Sequence, residues 1–133
     1  MSARGTPRVV LVSAAFFAIS GVVDAFLSLC DVAHPRTFDF AWQTAGRALL
    51  HLLLAWGLWR RIALCRSIAI VYCFAAVLTY GAALGLALAH APFRFPPSVV
   101  VQSLYQVPSC LLLLPFLRSP NASLAFPYPL FGR

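Results

Sequence analysis

The chain has 133 residues; 62% are hydrophobic, 10% are charged, and the formal net charge is +7. A water-soluble domain of this length buries only part of its apolar surface, so the composition excludes an ordinary soluble fold and calls for a lipid bilayer as solvent. The positive charge does not indicate a nucleic-acid partner: there is no lysine, and the ten arginines are scattered between apolar runs rather than clustered on one face.

Residues 1–8 are short and basic, with Arg4 and Arg8. The first apolar run, 9–30, carries Asp24 as its only charge and meets the length of about 20 residues that a spanning helix needs. It exceeds the apolar core of a signal peptide. Leu29, just before Cys30, is too large for a lipoprotein processing site. The run therefore reads as an uncleaved first span. A loop with His34-Pro35-Arg36 follows, and 40–59 is the second span, carrying Gln43, Arg47 and His51.

The stretch Trp59-Arg60-Arg61-Ile62-Ala63-Leu64-Cys65-Arg66 separates two long apolar runs. The third span, 67–89, has no charge. Residues 90–97 form a loop with Pro92, Pro96 and Pro97. The fourth span is 98–117, where Pro108 removes a mid-helix hydrogen bond and is expected to bend the helix. The tail, 118–133, contains Pro120, Pro127 and Pro129. It reads as too broken by proline to be helical, and as an interfacial segment anchored by Phe126, Tyr128 and Phe131.

The fold class expected is all-α: one membrane domain over 1–133, a four-helix bundle of two antiparallel transmembrane hairpins. Arg4, Arg8, Arg60, Arg61, Arg66, Arg118 and Arg133 fall on one side, and only Arg36 and Arg94 in the loops on the other. That bias places both termini in the cytoplasm. Arginine without lysine, beside much Ala, Leu and Pro, suggests a GC-rich bacterial genome and hence an inner membrane. The two outer loops, Ala33-His34-Pro35-Arg36-Thr37-Phe38 and Ala89-His90-Ala91-Pro92-Phe93-Arg94-Phe95, fit either a duplicated hairpin or the common composition of outer turns.

Charges within a span are costly, so they face the interior and pair. Counted from the outer ends of the first two spans, Asp24 and Arg47 both lie about 10 Å deep. An ion pair between them is expected. Helical spacing extends a polar stripe through Ser13, Ser20, Asp24, Ser28 and Asp31 on the first span, and through Gln43, Arg47 and His51 on the second. On the third span it takes in Tyr72 and Thr79, with Tyr80 beside them. On the fourth it takes in Ser98, Gln102, Tyr105, Gln106 and Ser109. The candidate intramembrane site is Asp24, Arg47, His51, Gln43, Tyr80, Gln102, Tyr105 and Gln106. Two readings stand: polar glue between helices, helped by small residues such as Gly21, Gly46, Gly81 and Gly85, or an outward-facing site for a small solute, a cation or a proton.

Several chemistries find no support. A haem bundle needs two axial histidines at one depth, and His34, His51 and His90 differ in depth. Cys30, Cys65, Cys73 and Cys110 contain no C-x-x-C pair, so neither a structural disulfide nor a disulfide-exchange enzyme is expected. No metal-ligand spacing, phosphate-cradling loop or Ser-His-Asp arrangement is present, and Asn121-Ala122-Ser123 falls on the cytoplasmic side, where a glycosylation triplet is silent. The layout resembles small four-span bacterial inner-membrane proteins. It also resembles the small multidrug transporters, which have four spans and a carboxylate in the first, although Arg47 suits a cation exporter poorly. The function expected is non-enzymatic and without cofactor or metal: an accessory or structural membrane protein acting through contacts with helices, lipid, other subunits or further copies of itself. The alternative is a small-solute or ion transporter using the cavity around Asp24 and Arg47.

Overall fold

The computed structural model describes residues 7–33, 38–89 and 97–127. The loop residues His34, Arg36, His90, Pro92 and Arg94, the side chain of Ser98, the terminal Arg4 and Arg133, and the anchors Tyr128 and Phe131 lie outside them. The described residues are helical and form no strand. The elements are α1 (Arg8–Ala33), α2 (Phe38–Trp59), α3 (Ala63–Ala89), α4 (Pro97–Arg118) and α5 (Pro120–Ala125). Three helices are long and apolar enough to cross a membrane: Arg8–Ala33, Ala63–Leu86 and Val100–Arg118. α2 is of similar length, but Gln43, Arg47 and His51 interrupt its apolar run, and it is not among these three.

α1 packs most extensively on α2, and α3 on α4; contacts between the two pairs are sparser. Both pairs run antiparallel. Ser28 Oγ donates to the Ala41 carbonyl (3.0 Å) while Gly21 faces Ala48 and Leu52, so partners descend α2 as α1 ascends. Likewise Arg66 reaches Leu117, and Cys73 lies beside Cys110. Gly21 permits the close approach of α1 and α2: a Cβ there would stand 2.8 Å from Leu52 Cγ and 3.3 Å from the Ala48 carbonyl oxygen. Gly46, Gly81 and Gly85 have no neighbour in the space a Cβ would fill, so they are not the helix-packing positions expected of them.

The basic stretch between α2 and α3 is a tight turn. Ile62 N donates to Gly57 O (3.0 Å) and Arg61 N to Leu58 O (2.9 Å), with Arg61 at φ 59°. This is the paired end-of-helix arrangement in which one residue turns left-handed and the next apolar residue folds back; Ile62 is buried. α3 then starts at Ala63, so Arg66 sits in its first turn. There its Nε donates to the Leu117 carbonyl at 2.9 Å and satisfies a helix-end acceptor of α4.

The expected proline-broken tail is partly helical. Pro120 occupies the first helical position, where its missing N–H costs nothing, and Ser119 Oγ accepts from Ala122 N at 3.3 Å. α5 turns Ala122, Ala125 and Phe126 into the core against α1 and α4. Phe126, only 2% exposed, is a core residue and not an interfacial anchor. α4 stays helical through Pro108 and Pro115, both exposed.

Burial divides along the helix axes. The end holding the α2–α3 turn has an apolar interior, with Val10, Phe17, Leu54, Leu58, Leu113 and Leu117. Nearer the opposite end the interior is polar: Ser20, Asp24, Asp31, Thr44, Gln102 and Gln106 are all buried. The outside is apolar, with Ile19, Val22, Phe26, Trp42, Val71 and Leu112 each at least 59% exposed. Such a distribution reverses that of a protein in water.

Candidate functional site

Asp24 is the hub. It lies one turn beyond Ser20 on the α1 face that also buries Ser13, Gly21 and Asp31, and its side chain has no exposure. Three groups from two other helices converge on it. Arg47 Nε lies 3.3 Å from Oδ2, His51 Nδ1 lies 2.9 Å from the same oxygen, and Gln102 Nε2 donates to Oδ1 at 3.1 Å. The Arg47 and His51 approaches are close, but their N–H groups are not aimed as hydrogen bonds require. Their contribution is therefore chiefly Coulombic. His51 carries charge only when protonated, so the Arg47 guanidinium is the standing counter-charge to the carboxylate.

The remaining contacts bring in α3. Arg47 donates to the Tyr80 hydroxyl, and its guanidinium carbon stands 5.8 Å from that ring's centroid. Fully buried His51 is boxed by Tyr72, whose ring meets it edge-on at 4.8 Å, and by Phe17 at 5.7 Å. Asp24 on α1, Arg47 and His51 on α2, Tyr72 and Tyr80 on α3 and Gln102 on α4 thus form one contact network. It spans the seam where the helix pairs otherwise touch least.

The expected Asp24–Arg47 pair is present, and the structure brings His51, Tyr80 and Gln102 to it. Gln106 is buried but holds other partners: its Nε2 donates to the Tyr105 hydroxyl at 2.9 Å, and Cys110 Sγ donates to its Oε1 at 3.6 Å. Tyr105 and Gln106 therefore extend the polar face of α4 without contacting the carboxylate. Gln43 is exposed and stands apart. Its place two turns before His51 suggested a shared face, but eight residues at 100° each rotate it by about 80° from His51. Thr79 is also exposed and donates to the Ala75 carbonyl at 2.9 Å of its own helix, leaving Tyr80 as the inward residue.

Residue spacing alone did not single out the direct His51–Asp24 approach, the Phe17 and Tyr72 walls, or a second polar contact in which Thr44 Oγ1 donates to Asp31 Oδ2 at 3.4 Å. The i+4 step from Arg47 to His51 carried the signal for the first. None of the four cysteines forms a disulfide among the described residues. His51 Nε2 and the Tyr72 hydroxyl are buried with no hydrogen-bond partner among the described residues.

In class, this is an all-helical chain with three helices fit to cross a membrane and a buried charge network between them. Comparisons with protein-family models, with curated proteins and with solved structures return no match to it.

Proposed function

We propose that the chain is an integral four-helix membrane bundle of two antiparallel transmembrane hairpins. Both termini lie in the cytoplasm, and the protein is a non-enzymatic accessory or structural component acting through helix, partner and lipid contacts. The single observation carrying this reading is the Asp24 network. A fully buried carboxylate, balanced by Arg47 and tied to α2, α3 and α4, lies inside an apolar exterior. A buried carboxylate is tolerable at membrane depth because the Arg47 guanidinium beside it balances its charge. Its physical effect is to fix how two hairpins meet where few other contacts do. α2 is then the fourth span, its polar face turned to the network and away from lipid.

The second reading, a small-solute or ion site, is favoured by His51 Nε2 and the Tyr72 hydroxyl, two buried polar atoms left without partners among the described residues. Buried polar atoms in that condition invite a water or a ligand.

The test is alkaline carbonate extraction of membranes, followed by purification of Asp24→Asn/Arg47→Gln. The bundle is expected to resist extraction. As a structural component, the double variant remains folded and keeps any co-purifying partner, because the charges are removed together. Release into the carbonate supernatant refutes membrane integration. A folded double variant that has lost solute binding or flux shown by the unaltered protein favours the second reading instead.

A further inference from the structure

We propose that the groove between α1 and α2 at the arginine-rich end is a binding site for an anionic phospholipid, seating an acyl chain against alanines with the phosphate held by Arg8 and Arg60. This deepens the membrane reading above and rests on it.

The groove is an open apolar cleft of about 320 Å³ walled by Leu11, Ala14, Ala15, Ala18, Ala55 and Trp59. Four of the six are alanines, so the cleft exists because the facing side chains are short. Its volume equals that of about ten waters, but its walls offer water almost nothing to bond, so hydrocarbon suits it better. The polar end is set by helical geometry. Arg8, Leu11, Ala15 and Ala18 fall at steps of i, i+3, i+7 and i+10, one stripe along α1. Arg8 is exposed at the mouth of that stripe.

On α2, Ala55 and Trp59 are one turn apart, and Trp59 is 55% exposed. Arg60 follows directly. Its guanidinium lies 5.8 Å from the ring centroid of Trp56, one turn earlier on α2. Two cations thus stand just beyond the lining of a hydrocarbon-walled cleft, Arg8 one turn before Leu11 and Arg60 next to Trp59. The three acids of the chain, Asp24, Asp31 and Asp39, all lie toward the other end of this helix pair. No side-chain carboxylate competes for the arginines, and a zwitterionic headgroup gives up most of the charge advantage. Arg66 is not part of the site, since it is held by the Leu117 carbonyl.

The test uses the full chain carrying Trp42→Phe and Trp56→Phe, so that Trp59 is the only tryptophan; phenylalanine retains a ring under Arg60. The protein is placed in phosphatidylcholine bilayers, and brominated phosphatidylglycerol or brominated phosphatidylcholine is titrated in while Trp59 quenching is followed. Each arginine is expected to contribute about fivefold, so phosphatidylglycerol binds about 25-fold more tightly than phosphatidylcholine. Arg8→Gln and Arg60→Gln each reduce that preference to about fivefold, and Arg118→Gln, exposed on α4, leaves it unchanged. Ala15→Leu, at an exposed position that tolerates bulk, lowers the maximal quenching by both lipids. Equal affinity for the two lipids overturns the proposal. So does an equal loss with Arg118→Gln, which would mean a diffuse surface field, or full quenching in Ala15→Leu. Displacement of the preference by inorganic phosphate reassigns the arginines to a free anion and also overturns it. Failure of these outcomes in a chain that resists carbonate extraction sinks the lipid site alone. Extraction of the chain sinks the membrane reading with it.

Discussion

Asp24 and Arg47 stand 3.3 Å apart but are unequally buried: the carboxylate side chain has no exposure, whereas that of Arg47 has 23%. Removing one partner of a buried pair leaves the other uncompensated, and the cost depends on which one remains. Arg47→Leu strands a fully enclosed carboxylate and is expected to cost about 3 kcal/mol. Asp24→Asn keeps the acceptor for Gln102 and leaves an arginine already part-way to the surface, so about 1 kcal/mol is expected. Unfolding of each variant in detergent gives the order. His51 Nδ1, 2.9 Å from the same oxygen, is the remaining group able to carry positive charge. Adding His51→Phe to Arg47→Leu is therefore expected to cost more than the sum of the single changes. A larger loss for Asp24→Asn than for Arg47→Leu would show that the stranded arginine costs more than the stranded carboxylate.

Glycine positions separate into two kinds. Gly21→Val places bulk into Leu52 and the Ala48 carbonyl, and the backbone oxygen cannot move aside as a side chain can. A loss of about 1–3 kcal/mol is expected. Gly46→Ala meets open space and is expected to gain about 0.5–1 kcal/mol through helix propensity. Thermal unfolding of the two variants in the same detergent distinguishes them. A destabilised Gly46→Ala would reveal a contact made only in an oligomer.

Arg61 carries a positive φ of 59° without being glycine. The left-handed region costs an ordinary residue roughly 1 kcal/mol, and the turn keeps it because Ile62 must fold back onto α2. Arg61→Gly is expected to raise stability by about that amount, read as a higher melting temperature. It also removes one of the arginines on which the proposed orientation rests, so the gain in stability comes at the expense of the charge bias. No change in melting temperature would mean that Arg61 is relieved by contacts of its own side chain.

Much of this was legible from periodicity alone. Long apolar runs fixed the helices to within a few residues, and nearly equal counts from the loop ends placed Asp24 level with Arg47. What counting could not supply was rotation. Gln43 shares an i+4 ladder with Arg47 and His51, but the helix advances past the seam before reaching it, so it faces outward. Gly46, Gly81 and Gly85 looked like packing positions because small residues permit contact, but permission is not contact. The detail of the α2–α3 turn and the presence of α5 escaped for a related reason. Arg61 in a left-handed conformation and Pro120 at a helix start are both local exceptions, decided by neighbours that the composition of the segment does not reveal. The alliance of His51 with Phe17 and Tyr72 needs three helices in register, which no single-helix pattern encodes.

Cysteine positions offer a direct reading of orientation. Cys30 is exposed near the end of α1 opposite the arginine-rich turn, Cys65 is half-buried against Gly57 at that turn, and Cys73 and Cys110 are buried side by side. With the arginines cytoplasmic, a membrane-impermeant maleimide applied from outside is expected to label Cys30 and none of the others. Single-cysteine variants assign each band. Cys65 is expected to react only in inverted vesicles and more slowly than Cys30, because Gly57 offers its thiol a pocket. Gly57→Ala removes that pocket, since its Cβ would collide with Cys65 Sγ, and it should speed Cys65 labelling severalfold. Cys73 and Cys110 should react only after denaturation. Labelling of Cys65 from outside, with Cys30 protected, would invert the topology and move the proposed lipid site to the opposite leaflet.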